Sequence, residues 1–332
     1  MTETIILLII AIILLLYLLI LGASLGAYFV AFGRRYDKNP LLKYFTAQDF
    51  SLTAKSVEVK RGKISLNGYI YRNERVSANG KLIIFVHGMG AGHLAYTTEI
   101  AYFCNNGFTV LALDSRGCNL SGGNCIKGMY AGVETAVAAI DFAHGDDSLK
   151  DLKICLVGHS WGGYSVLCAS AQRKVEKVVA VSAPDTPVKT IYNGAAKVIS
   201  KPLAFILQPF WYLINLFKFG KKGNSDAAKC AEENGTDTLL IHGDCDKVVS
   251  RKTAVYYRAN GENITKYLAE GKAHNPYNTV EAEQKLAQLT SNLSRAKNMT
   301  ERERAEYFSS FDFSAATEED EEVMRKIVSF LC

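Results

Sequence analysis

The chain has 332 residues, of which 48% are hydrophobic and 21% are charged, and its net charge is +5. This length is sufficient for one large α/β domain. Because the basic excess is small and no dense block of Lys or Arg accompanies it, the composition argues against a nucleic-acid-binding protein, and no nucleic-acid partner is predicted.

A long apolar segment opens the chain. Residues 4–33 carry no charge, and about 20 apolar residues are enough to cross the hydrocarbon core of a bilayer. We therefore predict one transmembrane helix over 4–33. A buried core helix is an alternative, but the run is apolar on all sides. A cleavable signal peptide is another, although the run is longer than a signal core and no Lys or Arg precedes it.

The charges around this segment predict its orientation. Four basic side chains follow it: Arg34, Arg35, Lys38 and Lys43. Since Glu3 is the only charge before the segment, the positive-inside rule places the N-terminus outside and the C-terminal bulk in the cytoplasm. Eight cysteines are compatible with a reducing cytoplasm, although Cys118 and Cys125 bracket one loop and could pair in an oxidising compartment.

A folded domain is predicted over 51–332, after a linker over 34–50. It begins with two alternating runs, 56–60 and 64–71, separated by Arg61-Gly62-Lys63. This pattern predicts an antiparallel hairpin at the edge of a sheet.

Short, continuously apolar runs follow, as expected of strands that are buried on both faces of a parallel sheet. They are Leu82–Val86, Thr109–Leu113, Ile154–Val157, Val178–Val181 and Leu239–Ile241. Helical stretches such as 131–144 and 162–171 lie between them, so the fold class is α/β with a doubly wound, mostly parallel sheet. In such a sheet, ligands bind beyond the carboxyl ends of the strands.

The motif Gly158-His159-Ser160-Trp161-Gly162 directly follows one predicted strand and precedes a helix. A nucleophile elbow needs this strand–turn–helix frame, in which the turn lifts a serine oxygen above the sheet. Ser160 is therefore the candidate nucleophile. The alternative is a plain glycine-rich turn between a strand and a helix.

A second glycine-containing loop, His87-Gly88-Met89-Gly90, follows the strand at 82–86. Such a loop can direct a backbone N–H at a developing oxyanion. The predicted donors are the amides of Met89 and of Trp161, the residue after the nucleophile. The alternative is a loop that merely turns on its glycines.

The remaining candidates are Asp246 and His274, which both lie in loops after predicted strands. A serine nucleophile requires a base within hydrogen-bond reach and a carboxylate that fixes the tautomer of that base. The chain order Ser, Asp, His is typical of this kind of sheet. Asp244 is the main rival for the acid, and Asp185 is a weaker one.

The run from about Lys81 to Asn275 resembles the α/β-hydrolase family, and within it the branch of monoacylglycerol lipases, small esterases and serine aminopeptidase-like hydrolases. The matching motifs are His87–Gly90, Asp114-Ser115-Arg116-Gly117, Gly158–Gly162, His242–Val249 and His274-Asn275. In that branch the second Asp of the pattern His-Gly-x-x-Asp-x-x-Val is the triad acid, which implies Asp246 rather than Asp244. The family often has Gly where Asn119 stands.

The resemblance also implies a helical cap over the active site, at about 185–230. This region contains the apolar, aromatic stretch 205–217, followed by Lys218, Lys221 and Lys222. Such a stretch suits either a membrane interface or a helix packed on the sheet. One hypothesis is that the cap admits an apolar acyl chain from the bilayer.

Together, the sequence predicts a serine hydrolase that cleaves carboxylic esters, including lipid-derived acyl esters, through an acyl-enzyme on Ser160. No metal or organic cofactor is needed for this chemistry. An aminopeptidase-like serine peptidase is one alternative. A non-catalytic, membrane-anchored binding protein is another, but an intact apparent triad argues against it.

Overall fold

A computed structural model describes residues 2–90 and 92–332, and an eight-stranded sheet forms its centre. The strand order is β1-β2-β4-β3-β5-β6-β7-β8. The first two pairings, β1 with β2 and β2 with β4, are antiparallel, and all the others are parallel. The strands are β1 Thr53–Arg61, β2 Ile64–Arg72, β3 Lys81–Val86, β4 Thr109–Leu113, β5 Lys153–His159, β6 Lys177–Val181, β7 Asp237–Gly243 and β8 Ile264–Ala269.

Helices cover both faces of the sheet. They are α1 Thr2–Phe32, α2 Thr97–Asn105, α3 Tyr130–Gly145, α4 Trp161–Ser170, α5 Pro187–Ala195, α6 Lys201–Phe219, α7 Ala227–Glu233, α8 Val255–Arg258, α9 Val280–Arg295, α10 Glu301–Ser310 and α11 Glu321–Leu331. One apolar layer contains α3, α4 and α7, and the layer on the other face contains α2 and α11. The predicted doubly wound α/β architecture is therefore confirmed.

The strands form where the sequence is apolar at every position. All five residues of β4 are buried, and β3 is buried from Leu82 onward, because helices pack on both sides of the central strands. At the edge, β1 and β2 form the predicted hairpin, with Arg61 paired to Ile64. Gly62 in the turn has a φ of +59°, a conformation that costs glycine little.

Helix α1 confirms that the N-terminal segment is helical. Within the described chain, it is the one helix long and apolar enough to cross a membrane by length and composition. Its first 18 described residues, 2–19, are exposed, whereas Ser24, Tyr28 and Phe32 near its end are buried. The helix therefore packs on the rest of the protein only through its C-terminal part.

The residues that follow α1 are held against the domain. The guanidinium of Arg35 donates to the carbonyl oxygens of Asn119, Ser121 and Gly123 at 2.5–3.0 Å. Tyr36 forms a parallel bridge with Cys118. The predicted linker thus begins with a docked segment, which fixes the end of α1 relative to the loop that follows β4.

Between β6 and β7 the chain leaves the sheet and forms α5, α6 and α7, which we call the inserted helices. Ser200 caps α6 by accepting a hydrogen bond from the amide of Leu203, and Gly220, at a φ of +68°, ends it. The indole N–H of Trp211 donates to the carbonyl of Ser24 in α1 at 3.1 Å. This long helix therefore packs against α1 as well as against its neighbours in the insertion.

Candidate active site

The turn between β5 and α4 places Ser160 above the carboxyl edge of the sheet. Ser160 has a φ of +54° and a ψ of −116°, a conformation that non-glycine residues rarely adopt and that costs about 1–3 kcal/mol. The glycines on either side of Ser160, at positions 158 and 162, have no room for a side chain. A Cβ at Gly162 would overlap the carbonyl oxygen of Val86, and one at Gly158 would overlap the carbonyl oxygen of Gly162.

Ser160, His274 and Asp246 form one hydrogen-bonded chain. His274 Nε2 lies 3.0 Å from Ser160 Oγ, and His274 Nδ1 lies 2.8 Å from Asp246 Oδ2. The other carboxylate oxygen, Oδ1, accepts the amides of Val248 at 2.7 Å and Val249 at 3.0 Å. Both oxygens of the buried carboxylate are thus used, and Nε2 is the imidazole nitrogen that faces the hydroxyl.

The protonation states follow from these partners. Burial raises the pKa of Asp246. The hydrogen bond and charge of His274, together with the amides of Val248 and Val249, lower it by more, so the net pKa is below the ordinary value. An ionised Asp246 requires the proton of a neutral His274 to be on Nδ1. The free lone pair on Nε2 can then accept the proton of Ser160.

The rival acids lie in other interactions. Asp244 Oδ1 accepts the amide of Gly271 at 2.8 Å, on an exposed turn. Asp185 is buried and pairs with Lys189 at 2.6 Å and with Arg258 at 2.7 Å. The structure therefore brings Asp246, and neither rival, to the imidazole of the predicted base.

The loop after β3 is anchored by the buried His87. Its Nδ1 lies 2.6 Å from the carbonyl of Gly88, and its Nε2 accepts the amide of Ser115 at 2.9 Å. Burial lowers the pKa of His87, which keeps the ring neutral. Among the described residues, the amides of Met89 and Trp161 have no backbone or side-chain acceptor. Neither predicted oxyanion donor is therefore engaged in a bond with the described part of the chain.

A second chain of hydrogen bonds, which the sequence did not predict, connects the three loops of the site. The amide of Gly88 donates to the hydroxyl of Tyr96 at 3.0 Å, and that hydroxyl lies 3.0 Å from His159 Nδ1. His159 Nε2 lies 2.9 Å from the carbonyl oxygen of His274. The oxyanion loop, the nucleophile turn and the base loop are thus joined through the half-buried Tyr96 and the buried His159.

The direction of this second chain is set by the charge state of His159. Burial, followed by the nearby His274, lowers the pKa of His159 to about 3. A neutral ring facing a carbonyl must donate from Nε2, so its Nδ1 accepts the hydroxyl proton of Tyr96. His159 was recognisable only as the variable residue in the serine motif, and Tyr96 lies in no recognisable motif.

The loop after β4 is organised by Asp114. Its carboxylate accepts from His93 at 2.8 Å and from the side-chain amide of Asn119 at 3.1 Å. Burial raises the pKa of Asp114, but the hydrogen bonds and charge of His93, together with the nearby His87, outweigh it, so the net pKa lies below the ordinary value. Asn119, which stands where the resembling family often has Gly, has a φ of +36°. The position therefore keeps a left-handed backbone, and its side chain adds a bond to Asp114.

Comparisons with known proteins agree with this topology. A family model described as the alpha/beta hydrolase fold matches residues 81–196, which extend from β3 into the inserted helices. No curated protein sequence matches the chain.

Solved structures resemble the chain over most of its length. The Pyrococcus furiosus esterase Pf2001 superposes with a TM-score of 0.57 at 21% sequence identity, covering 79% of this chain and 98% of the esterase. The α/β hydrolase GrgF from Penicillium sp. sh18 gives a TM-score of 0.50 at 16% identity, covering 74% and 97% of the two chains. The sheet topology and the family match together show that the chain has the α/β-hydrolase fold.

Proposed function

We propose that this protein is a serine hydrolase that cleaves carboxylic esters through an acyl-enzyme on Ser160. The observation that carries the proposal is the hydrogen-bonded chain from Ser160 Oγ through His274 to Asp246, at 3.0 and 2.8 Å. The left-handed conformation of Ser160 supports it, because a strained backbone at such a turn is typical of functional positions.

In the proposed reaction, Ser160 Oγ attacks the ester carbonyl as its proton passes to His274 Nε2. The developing oxyanion accepts hydrogen bonds from the amides of Met89 and Trp161. The protonated imidazole then gives its proton to the leaving alcohol, and Asp246 stabilises the imidazolium without taking the proton. Water attacks the acyl-enzyme with His274 as the base, which restores the free serine.

Ester substrates are favoured because the similar structure from Pyrococcus furiosus is described as an esterase. A peptidase would need an additional group to hold the peptide. A pure binding protein would have no need for three side chains aligned at bonding distance. No cofactor is required by the proposed chemistry.

We also propose that α1 spans a membrane, with the domain over 51–332 on the cytoplasmic side and the inserted helices as the cap. The exposed apolar surface of residues 2–19 supports the anchor, because water would solvate it poorly. The exposed thiol of Cys332 tests the orientation. A membrane-impermeant maleimide should label it only after the cells are opened; labelling in intact cells would reverse the orientation.

The hydrolase proposal is tested with p-nitrophenyl acetate, p-nitrophenyl octanoate and an aminoacyl p-nitroanilide. The full chain in a mild detergent should cleave the esters, and Ser160→Ala should lower the turnover by several orders of magnitude. Ser165→Ala, one turn further along α4, is the matched control, because the Ser165 hydroxyl donates to the carbonyl of Trp161 and, among the described residues, has no other partner. Cleavage of the anilide alone would favour a peptidase, and unchanged turnover in Ser160→Ala would exclude Ser160 as the nucleophile.

A further inference from the structure

Helix α6 is unusual because large apolar side chains lie on its outer face as well as on its inner face. Its inner face is formed by Ala204, Leu207, Trp211 and Asn215, which are buried. Six large apolar side chains point outward and are exposed: Leu203, Phe205, Ile206, Tyr212, Leu213 and Phe217. Phe217 is 94% exposed and Phe205 is 67% exposed. Residues 202–217 include no charged side chain.

Such a surface is costly in water. Fully burying a Leu or Phe side chain is worth about 1.5–3 kcal/mol, and soluble monomers rarely expose contiguous apolar patches of this kind. A surface helix of a soluble domain normally presents charged residues on its outer face. The outer face of α6 therefore requires an apolar environment.

The position of α6 identifies that environment. Its inner face packs directly on α1, where Tyr28 donates a hydrogen bond to Asn215 at 2.8 Å and Trp211 bonds to Ser24. The rings of Tyr17 and Phe210 lie 5.7 Å apart, well inside the apolar stretch of α1. The outer surface of α6 is thus continuous with the surface that α1 presents to the bilayer.

The charges around α6 favour anionic lipid. Residues 186–225 contain no Asp or Glu but hold six lysines: Lys189, Lys197, Lys201, Lys218, Lys221 and Lys222. Of these, Lys189 is paired with Asp185, and the other five form no salt bridge with a described residue. Lysines on both sides of an apolar helix can reach phosphate groups while the apolar side chains enter the acyl region. A protein partner would explain the apolar face of α6, but not why the charged side chains at both ends of the helix are all positive.

We propose that α6 lies in the interface of the same bilayer that α1 spans, with its outer face among the lipid acyl chains and its flanking lysines at anionic headgroups. This inference rests on the proposed membrane anchor. It makes the inserted helices a membrane-docking surface and gives the site a substrate class, namely acyl esters that reside in the bilayer.

The inner side of the α1–α6 pair is connected to the segment that carries the proposed nucleophile. The hydroxyl of Tyr28 in α1, which donates to Asn215, also lies 3.2 Å from the carbonyl oxygen of Lys127. Two residues further on, the carbonyl of Met129 accepts the indole N–H of Trp161 at 2.7 Å. Trp161 directly follows Ser160. The membrane-docking helices and the nucleophile turn are therefore linked through the segment from Lys127 to Met129.

Site-directed spin labelling of the full chain in vesicles tests this placement. The exposed thiols are first removed by Cys245→Ser and Cys332→Ser, and single labels are then introduced by Leu213→Cys or Phe217→Cys. The vesicles contain phosphatidylcholine with a minor share of phosphatidylglycerol. Collisions of each label with oxygen, which concentrates in the bilayer, are compared with collisions with the water-soluble NiEDDA, after subtraction of the signal of the parent chain.

Two further labels calibrate the result. Leu14→Cys, in the apolar part of α1, represents the bilayer, and Arg325→Cys, exposed on α11 at the other face of the sheet, represents water. The labels at Leu213 and Phe217 should resemble the one at Leu14, with an oxygen-to-NiEDDA ratio several-fold above that at Arg325. Addition of phosphatidylglycerol should increase this ratio.

Three outcomes would overturn the inference. Labels on α6 that collide with NiEDDA as freely as the label at Arg325 would place the helix in water. Labels shielded from both reagents would indicate a protein partner or a second copy of the chain. A water-exposed label at Leu14 would remove the anchor itself. Since the measurement needs no hydrolysis, it gives the same answer in a Ser160→Ala chain, which separates failure of the docking from failure of the proposed activity.

Discussion

The two tryptophans of the chain lie in two regions that are built in opposite ways. Each is buried, and each donates its indole N–H to a main-chain carbonyl: Trp161 to Met129 in the candidate active site, and Trp211 to Ser24 where α6 meets α1. Around Trp161, buried polar groups are bonded to one another across loops that are distant in sequence. Around Trp211, the surfaces are apolar inside and outside.

This difference indicates which interactions stabilise each region. The site is ordered from within the protein, because its polar groups are removed from water and would be costly if left without partners. The α1–α6 pair has few internal polar bonds, and its outer surface requires an external apolar phase. Substitutions in the site should therefore change the chemistry, whereas substitutions at the pair should change stability and membrane contact.

The largest effect is expected for Asp246→Asn. An amide at this position cannot hold the Nδ1–H tautomer of His274 as the carboxylate does, and the turnover on a p-nitrophenyl ester should fall about 10⁴-fold. Asp244→Asn is the matched control, because the carboxylate of Asp244 lies on the exposed turn, where it accepts the amide of Gly271 and does not contact His274. Equal losses in the two variants would contradict the assignment of the acid.

The next prediction concerns acid stability. His159 has a folded-state pKa of about 3, whereas an unfolded His titrates near pH 6.5, so between these values the unfolded chain binds the extra proton. Stability is therefore lost as the pH falls from about 6.5 to 3, by up to about 1.4 kcal/mol per pH unit from this residue. His159→Gln retains a donor for the carbonyl of His274 but cannot titrate.

We expect the His159→Gln variant to show a shallower loss of unfolding free energy with falling pH than the parent, in urea titrations in detergent. His144→Gln, at an exposed position, is the control and should retain the slope of the parent chain. An unchanged slope in His159→Gln would show that this ring is not buried in its neutral form.

A smaller effect on turnover is expected for Tyr96→Phe. The substitution removes the acceptor for the amide of Gly88 and the donor to His159, and thus disconnects the oxyanion loop from the base loop. The kcat should fall about tenfold, equivalent to one hydrogen bond of about 1.4 kcal/mol, with little change in KM. Tyr102→Phe on helix α2, which directly follows Tyr96, should leave kcat unchanged, because the hydroxyl of Tyr102 bonds to the exposed Glu321.

The smallest effect is expected for Trp211→Phe, and comparison with Trp161→Phe tests whether the two regions have different roles. Trp211→Phe should lower the melting temperature in detergent by about 2 °C, because one buried hydrogen bond of about 1 kcal/mol is lost. Trp161→Phe loses a similar bond next to the predicted oxyanion amide, so it should lower kcat much more than Trp211→Phe does. If both variants lost the same fraction of activity, the separation of the two regions would be wrong.

The sheet could be predicted from the sequence because burial on both faces leaves a local signal. The run Thr109–Leu113 predicts β4 with the bounds that the structure has, and Arg61-Gly62-Lys63 marks the hairpin turn. Spacing alone did not separate Asp244 from Asp246, since both leave the same strand. Only the family resemblance favoured Asp246. In the structure, the carboxylate of Asp244 instead accepts a hydrogen bond from the amide of Gly271.

Other features have no local signal in the sequence. The contact of Tyr96 with His159 depends on how two loops meet in space, and neither residue lies in a motif that indicates it. The stretch 205–217 was recognisably apolar, but hydrophobicity does not reveal which side of a helix is covered. The structure shows that only one side of this helix packs on protein. This favours a membrane interface over a helix that is fully packed on the sheet.

The central claim is tested most directly by a fluorophosphonate probe, followed by mass-spectrometric identification of the modified peptide. The account predicts one adduct, on Ser160, in the full chain, no adduct in Ser160→Ala, and slow labelling in His274→Ala because the proton acceptor is missing. An adduct on another residue, or labelling that persists at the parent rate in Ser160→Ala, would contradict it.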